Sequence, residues 1–332
     1  MRVDGLLIVD KPEGITSLEV VREVKRRFFV KKAGHIGTLD PFATGVLPIV
    51  INEGTKLVPF LGEEPKEYEA IMKLGEETTT DDPTGEVVFR KPWEEVSPGM
   101  VHASFQTFLG RIQQTPSMFS AIKVNGKPLY RWARRGIEVE RKAREVEIFG
   151  IQIKEVDFPL IRFKVLCSKG TYIRTLGRDI GRKIGCGAHL LHLRRVRSGP
   201  FTLEQAIPWE TLKGLSRVED LYPWLISLRE ALPSLPEVVA DGELVKKVRF
   251  GREMMVRDFS PQVLPAFEKG QWLKMSSPEE GLVAILKLEV KDGDIQRSGL
   301  DVIALRPLRV FQSSPPLSPH AGEGKGEGED HA

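Results

Sequence analysis

Leu6-Leu7-Ile8-Val9 is a short apolar run of strand type, and Lys11-Pro12-Glu13-Gly14 turns the chain. Leu18, Val21, Val24 and Phe28 then recur at helical spacing. Thr16 with Glu19 three residues on forms a capping box, and Lys25, Arg26 and Arg27 suit the helix C-terminus. Val46 to Ile51 reads as a short buried strand, demoted towards an edge by Pro48. Tyr68 to Leu74 alternates imperfectly and reads as a strand. Asp81-Asp82-Pro83-Thr84-Gly85 reads as a surface turn. Ser97-Pro98 opens a helix that carries Phe105, Phe108 and Leu109 and ends at Gly110. A short helix follows around Tyr130 to Arg135. Ile161, Phe163, Val165 and Cys167 share one face of a strand. Ile173, Leu176, Ile180 and Ile184 form a helical stripe, with Thr171 as N-cap and Gly185 as terminator. His189 to Arg197 reads as a strand ended by Ser198-Gly199-Pro200. After a linker-like Ala231-Leu232-Pro233-Ser234-Leu235-Pro236 come a helix over Glu243 to Val248 and strands over Leu282 to Val290 and Val302 to Leu305, with a turn at Asp292-Gly293-Asp294. That is a small, mostly-β unit.

One stretch fits neither period. Gly34 to Gly45 holds three glycines, a proline and two threonines among apolar residues, with Asp40 in the middle. Glycine permits positive φ, and Pro41 pushes Asp40 out of the α region. Asp40 therefore sits on a shaped loop feeding an apolar strand. A carboxylate held in that way is a candidate nucleophile or acid/base group. The competing reading is an Asp-Pro turn whose Asp caps a backbone N–H, and on this stretch alone that reading is favoured.

The chain has 332 residues, enough for two domains, with 41% apolar and 29% charged residues. No apolar run approaches the ~18 residues of a membrane helix, and no signal-peptide pattern opens the chain. Cys167 and Cys186 stand far apart, and with six scattered histidines they offer no zinc-ligand spacing. These features predict a cytoplasmic, reduced protein without a structural metal. Net charge is +3, but residues 313–332 carry one lysine against four acids, so the preceding chain holds +6. Its bases cluster at Lys25 to Lys32, Lys123 to Arg144 and Arg182 to Arg197. Clustered cations suit a polyanion such as nucleic acid, although any single cluster is more often a solvated helix face. Within residues 111–144, Phe119, Tyr130 and Trp132 are interleaved with the cations, a pattern that combines phosphate contact with stacking. An amphipathic helix with Leu129 and Trp132 turned inward explains the same residues.

His35-Ile36-Gly37-Thr38-Leu39-Asp40-Pro41-Phe42-Ala43-Thr44-Gly45-Val46-Leu47 resembles the catalytic motif of the TruB family of pseudouridine synthases. Asp10 to Ser17 resembles that family's first motif, and Ser168 to Gly181 its third. The resemblance covers roughly the first 200 residues and implies an α+β fold, with a mixed, mostly antiparallel sheet and a small PUA-like C-terminal domain. It divides the chain into a catalytic domain at 1–232, with an RNA-binding insertion at 111–144, and a PUA-like domain at 237–311. Residues 313–332, rich in Pro, Ser, Gly and acid, read as a disordered tail.

By resemblance Asp40 is the nucleophile, Tyr68 stacks on the target base and handles a proton, and Arg174 pairs with Asp40. Read without the family, Tyr68 at a strand start is a core residue. His35 fills the gap left by a flipped base, or hydrogen-bonds beside the site. Tyr172 packs in the site and Leu193 walls it, Lys123 and Arg134 contact RNA, and Lys11 and Pro12 support the loop. Arg174 is expected to lower the pKa of Asp40 and offset the cost of burying it. The implied reaction is isomerisation of a uridine, without cofactor or metal, in the T loop of tRNA, by a monomer. Two alternatives stand beside it: an RNA-binding or RNA-folding module, and a guide-RNA-dependent enzyme of ribosomal RNA. A retaining glycosidase would need a second carboxylate about 5 Å from Asp40, and the sequence points to none.

Overall fold

The computed structural model describes residues 3–62, 64–120, 122–124, 126–133, 135–255, 258, 270–289 and 303–312. In chain order the first part comprises β1 (Gly5–Lys11), α1 (Ser17–Arg27), β2 (Ala33–His35), β3 (Thr44–Ile51), β4 (Lys66–Leu74), β5 (Glu76–Thr78) and β6 (Val87–Arg90). It continues with α2 (Pro98–Gln106), β7 (Gly110–Gln114), α3 (Leu129–Ala133), β8 (Arg144–Asp157), β9 (Leu160–Cys167), α4 (Ile173–Ile184) and β10 (Ala188–Ser198). The main sheet runs β1-β3-β10-β4-β9-β8-β7, with short strands on its margins. Every neighbouring pair in that order is antiparallel except β3 and β10. A second sheet of five strands follows: β11 (Glu237–Val239), β12 (Met254–Met255), β13 (Trp272–Ser277), β14 (Gly281–Leu288) and β15 (Ile303–Val310), in the order β11-β13-β14-β15-β12. Helix α5 (Gly242–Arg249), capped by the Asp241 carboxylate, packs on it. The architecture is α+β with a mixed, mostly antiparallel sheet and a C-terminal β unit, as expected.

The unbroken apolar run of β1 has a structural cause. Leu7 and Val9 face the core built on α1, α2 and α4, whereas Leu6 and Ile8 face a second core shared with Leu282, Ile285 and Phe311. A strand covered on both faces has no reason to alternate. The second sheet is therefore docked on the back of β1 and β3. The Phe60 ring meets Trp272 edge-to-face at 5.0 Å, and Lys56 donates to the Val310 carbonyl at 2.8 Å.

Several local expectations are corrected. Pro48 does not mark an edge, since β3 lies inside the sheet between β1 and β10. A strand residue points its N and C=O to one side, and the Pro48 carbonyl accepts from Ile36 N–H. Its nitrogen thus faces the gap where β2 pairing (Ile49 to Ile51) has ended and β10 pairing (Thr44, Gly45) has not begun, so no ladder bond is lost. Leu18 leaves the α1 stripe and is half exposed, while Val20 takes its place in the core. Helix α2 ends at Gln106, so Phe108 and Leu109 lie beyond it. The N-cap of α4 is Tyr172, whereas the Thr171 hydroxyl turns back to the Ser168 carbonyl. The presumed linker is not a free tether, because Ala231 and Leu232 are buried in the shared core. The turn at 292–294 and the tail at 313–332 lie outside the described residues.

Candidate active site

The loop between β2 and β3 is pinned from several directions. Ser17 Oγ donates to the Leu39 carbonyl and accepts from Leu39 N–H, both at 2.9 Å. Gly14 N–H donates to the Pro41 carbonyl at 2.8 Å. Lys11 Nζ reaches the carbonyls of Pro12, Ile15 and Pro41 at 2.7, 2.7 and 3.2 Å. Lys11 is fully buried, and desolvation drives its pKa down to about 8, against the pull of Asp40. Pro12 is half-buried beside it and contributes its carbonyl.

Arg174, in the first turn of α4, ties four segments together. Nε donates to Asp40 Oδ2 at 2.9 Å, Nη1 to the Thr80 carbonyl at 2.6 Å, and Nη2 to the Phe119 carbonyl at 3.0 Å. Nη1 also pairs with Asp82 Oδ2 at 3.3 Å. The arginine side chain is 4% exposed, but that of Asp40 is 36% exposed. Protein surrounds the Asp40 carboxylate except at the mouth of a cleft. Burial raises its pKa and outweighs the downward pull of Arg174, while Asp82 adds a second upward push. Arg174 thus pulls the Asp40 pKa down as expected, but it offsets the cost of burial only in part.

Asp40 and Arg174 face two adjoining cavities. One, of about 250 Å³, is lined by Gly37, Asp40, Lys66, Tyr68, Tyr172, Leu193 and Arg195, among others. That volume lies below the ~300–1,000 Å³ of pockets for drug-sized ligands and suits a single nucleobase. The other, of about 470 Å³, runs past Leu18, His35, Leu39, Phe119 and Arg174. Tyr68 is buried, and its phenol pKa is raised by desolvation against the pull of Arg195, so the hydroxyl keeps its proton at neutral pH. Burial also lowers the pKa of His35, with help from Arg195, and its Nδ1 has no hydrogen-bond partner. The backbone of Tyr172 is clasped by the Gln114 carboxamide at 3.0 and 2.8 Å. Lys123 falls in a two-residue ladder with Pro128, and Arg134 lies outside the described residues. In the same segment Leu129 turns inward and Lys127 lies over the Trp132 ring.

Four residues escaped the sequence. Asp81 and Asp82 do not form a surface turn, since both are 4% exposed. Asp82 Oδ1 accepts from Thr80 Oγ1, Thr84 N–H and Thr84 Oγ1 at 2.6 to 2.9 Å, and Asp81 pairs with Arg178 at 3.2 Å. A second carboxylate therefore does stand near Asp40, on the same guanidinium. Gln114 and Arg195 were hidden by context, one in a polar run and the other in a basic one. The third cation cluster is largely spoken for internally: Arg182 by Glu77, Arg194 by Asp10 and Arg197 by Glu67, with Arg195 fully buried.

Comparison with known proteins places this geometry. The family model described as TruB family pseudouridylate synthase (N terminal domain) matches residues 25–173, and that of the tRNA pseudouridylate synthase B C-terminal domain matches 174–235. A tRNA pseudouridine synthase B of Geobacter sulfurreducens is 42% identical over 309 residues, which span 93% of this chain and 100% of the relative. The chain belongs to the TruB family of pseudouridylate synthases. A second family member, the tRNA pseudouridine synthase B of Geotalea uraniireducens, is 46% identical over 266 residues, 80% of this chain and 85% of that one. Among solved structures, a Cbf5-Nop10-Gar1 complex aligns with a TM-score of 0.70 at 29% identity, over 93% of this chain and 85% of that chain. An H/ACA RNP bound to a substrate RNA containing 2'-deoxyuridine aligns with the same score at 26% identity, over 93% and 85%. The fold is that of the TruB-type pseudouridine synthases.

Proposed function

We propose that the protein isomerises uridine to pseudouridine in tRNA, at the T-loop uridine conventionally numbered 55, with Asp40 as nucleophile. The observation that carries this reading is the Asp40 carboxylate, held by Arg174 yet open to a cleft of nucleobase size. The reaction balances within one nucleoside. The N1–C1′ bond breaks, the uracil turns in place, C5 bonds to C1′, and the proton lost from C5 is matched by one gained at N1. No oxidant, cofactor or metal enters that sum. Extracting the base from its stack costs a few kcal/mol, and stacking on Tyr68, about 1–3 kcal/mol per base, offsets much of it.

In this reading Tyr68 also moves a proton, which its protonated phenol suits. Leu193 and Tyr172 wall the base pocket. His35, neutral and with Nδ1 unpartnered in a groove next to that pocket, takes the space vacated by the flipped base. Lys11 and Pro12 hold the loop. The insertion at 111–144, with Lys123 and Arg134, closes over the T stem-loop. Residues 237–311 act as a PUA-like domain beside the catalytic domain of 1–232, and the protein works as a cytoplasmic monomer. No helix among the described residues is long and apolar enough to cross a membrane.

The test is to incubate full-length protein with unmodified tRNA transcript, without metal or nucleotide, and to map pseudouridine by carbodiimide labelling and primer extension. One stop at the T-loop uridine is the expected result. No stop in tRNA but modification of ribosomal RNA with guide RNA would move the substrate. No modification of either would leave an RNA-binding module.

A further inference from the structure

Arg195 is the largest fully buried side chain among the described residues, and it holds the Asp40 loop at both ends. Its Nε donates to the Val46 carbonyl at 2.7 Å and its Nη2 to the Gly37 carbonyl at 2.8 Å. Those two carbonyls bracket Asp40 in sequence, one on each side. The backbone of Arg195 pairs with Gly45 on one flank of β10 and with Tyr68 on the other.

The glycines of the motif are shaped around this residue. A Cβ on Gly45 would lie 2.2 Å from the Arg195 carbonyl oxygen, and one on Gly37 would lie 3.1 Å from Nη1. Both have positive φ, +101° and +71°, where a side chain is strained in any case. Gly37 therefore leaves room for the Arg195 guanidinium, while Gly45 lets the backbone of β3 approach that of residue 195. Nη1 has no hydrogen-bond partner, and among the described residues no carboxylate pairs with the guanidinium. An unpaired buried cation is costly, and the fold nevertheless keeps this one in the wall that carries Tyr68 and Asp40.

We infer that Arg195 is a positioning residue: it locks both ends of the Asp40 loop to the strand that flanks Tyr68, so that carboxylate and phenol keep one spacing across the base pocket. The inference rests on reading Asp40 and Tyr68 as the reacting groups. An ammonium can serve several carbonyls, as Lys11 does, but only from one point, and it lacks the planar fork whose separated Nε and Nη2 reach Val46 and Gly37. Lysine is thus a conservative change in charge but not in geometry.

The experiment compares full-length Arg195→Met and Arg195→Lys with the parent, at a temperature where melting curves show all three folded. Single-turnover pseudouridine formation at saturating tRNA transcript should fall by about 100-fold in both variants, the scale of a misplaced reacting group. Transcript affinity should stay within about threefold. Amide hydrogen exchange should quicken by about tenfold or more at Leu39 and Ala43, and should not change in α4. If Arg195→Met does not fold, Arg195→Lys decides alone. Turnover within threefold of the parent, a loss seen only in affinity, or unchanged exchange in the loop would each overturn the inference. A parent that modifies no RNA would instead break the proposed function, and exchange would still decide whether Arg195 pins the loop.

Discussion

Two Asp-Pro turns point at one arginine, and they treat their carboxylates in opposite ways. Thr80-Asp81-Asp82-Pro83-Thr84 supplies its own hydroxyls and an amide to Asp82, whose side chain is 5% exposed. Thr38-Leu39-Asp40-Pro41-Phe42 surrounds Asp40 with apolar neighbours instead, and the carboxylate keeps Arg174 on one side and the cleft on the other. The first turn satisfies its acid locally and so uses it to hold a guanidinium. The second leaves lone pairs free. Their difference teaches that a carboxylate open to a cleft is made here by withholding local hydrogen bonds, not by adding special ones, which is what the proposed nucleophile requires.

That contrast can be broken at Arg174 first. Arg174→Met leaves Asp82 buried without its cation, which is expected to cost about 3–5 kcal/mol of stability, read from chemical denaturation. Adding Asp82→Asn should recover much of the stability but not the turnover. Recovery of both would mean that Arg174 serves folding alone.

Next, Tyr68→Leu should cost turnover far more than stability, because the phenol lines the pocket while the leucine still fills the core. Loss of the cooperative melt would make Tyr68 a core residue only. A subtler test uses pH. The pKa of Asp40 is raised by burial and by Asp82, so the ionised form is lost as pH falls through a value above the usual ~3.9 of aspartate. The acid limb of the rate profile should lie above that value. In Asp82→Asn one upward push is gone, and the limb should move to lower pH. A limb that stays put would separate the two carboxylates electrostatically. The smallest effect is expected from removing residues 313–332, which should leave turnover unchanged. A large loss would show that the tail serves the site.

Much of this was legible in the sequence because periodicity reports burial directly. The stripe Ile173, Leu176, Ile180 and Ile184 and the alternation Ile161 to Cys167 fall on the core as their spacing demands. The capping box at Thr16 and Glu19 forms as written. Asp40 and Arg174 could be paired because motif resemblance linked residues 134 positions apart. Asp82 could not, since an Asp-Asp-Pro turn looks the same whether solvent or an arginine answers it. Arg195 was concealed for a related reason. A cation in a run of cations reads as surface, and only the register of β10 between β3 and β4 turns it inward. Pro48 misled because local edge chemistry also occurs inside a sheet wherever neighbouring ladders leave a gap.

The most direct test of the account is Asp40→Asn, assayed for pseudouridine in tRNA transcript under single-turnover conditions, with binding of the same transcript measured alongside. The account predicts no pseudouridine, with affinity within about threefold, less than ~1 kcal/mol. Product formed by Asp40→Asn at a rate near that of the parent would contradict it, since the open-sided carboxylate would then not be the nucleophile.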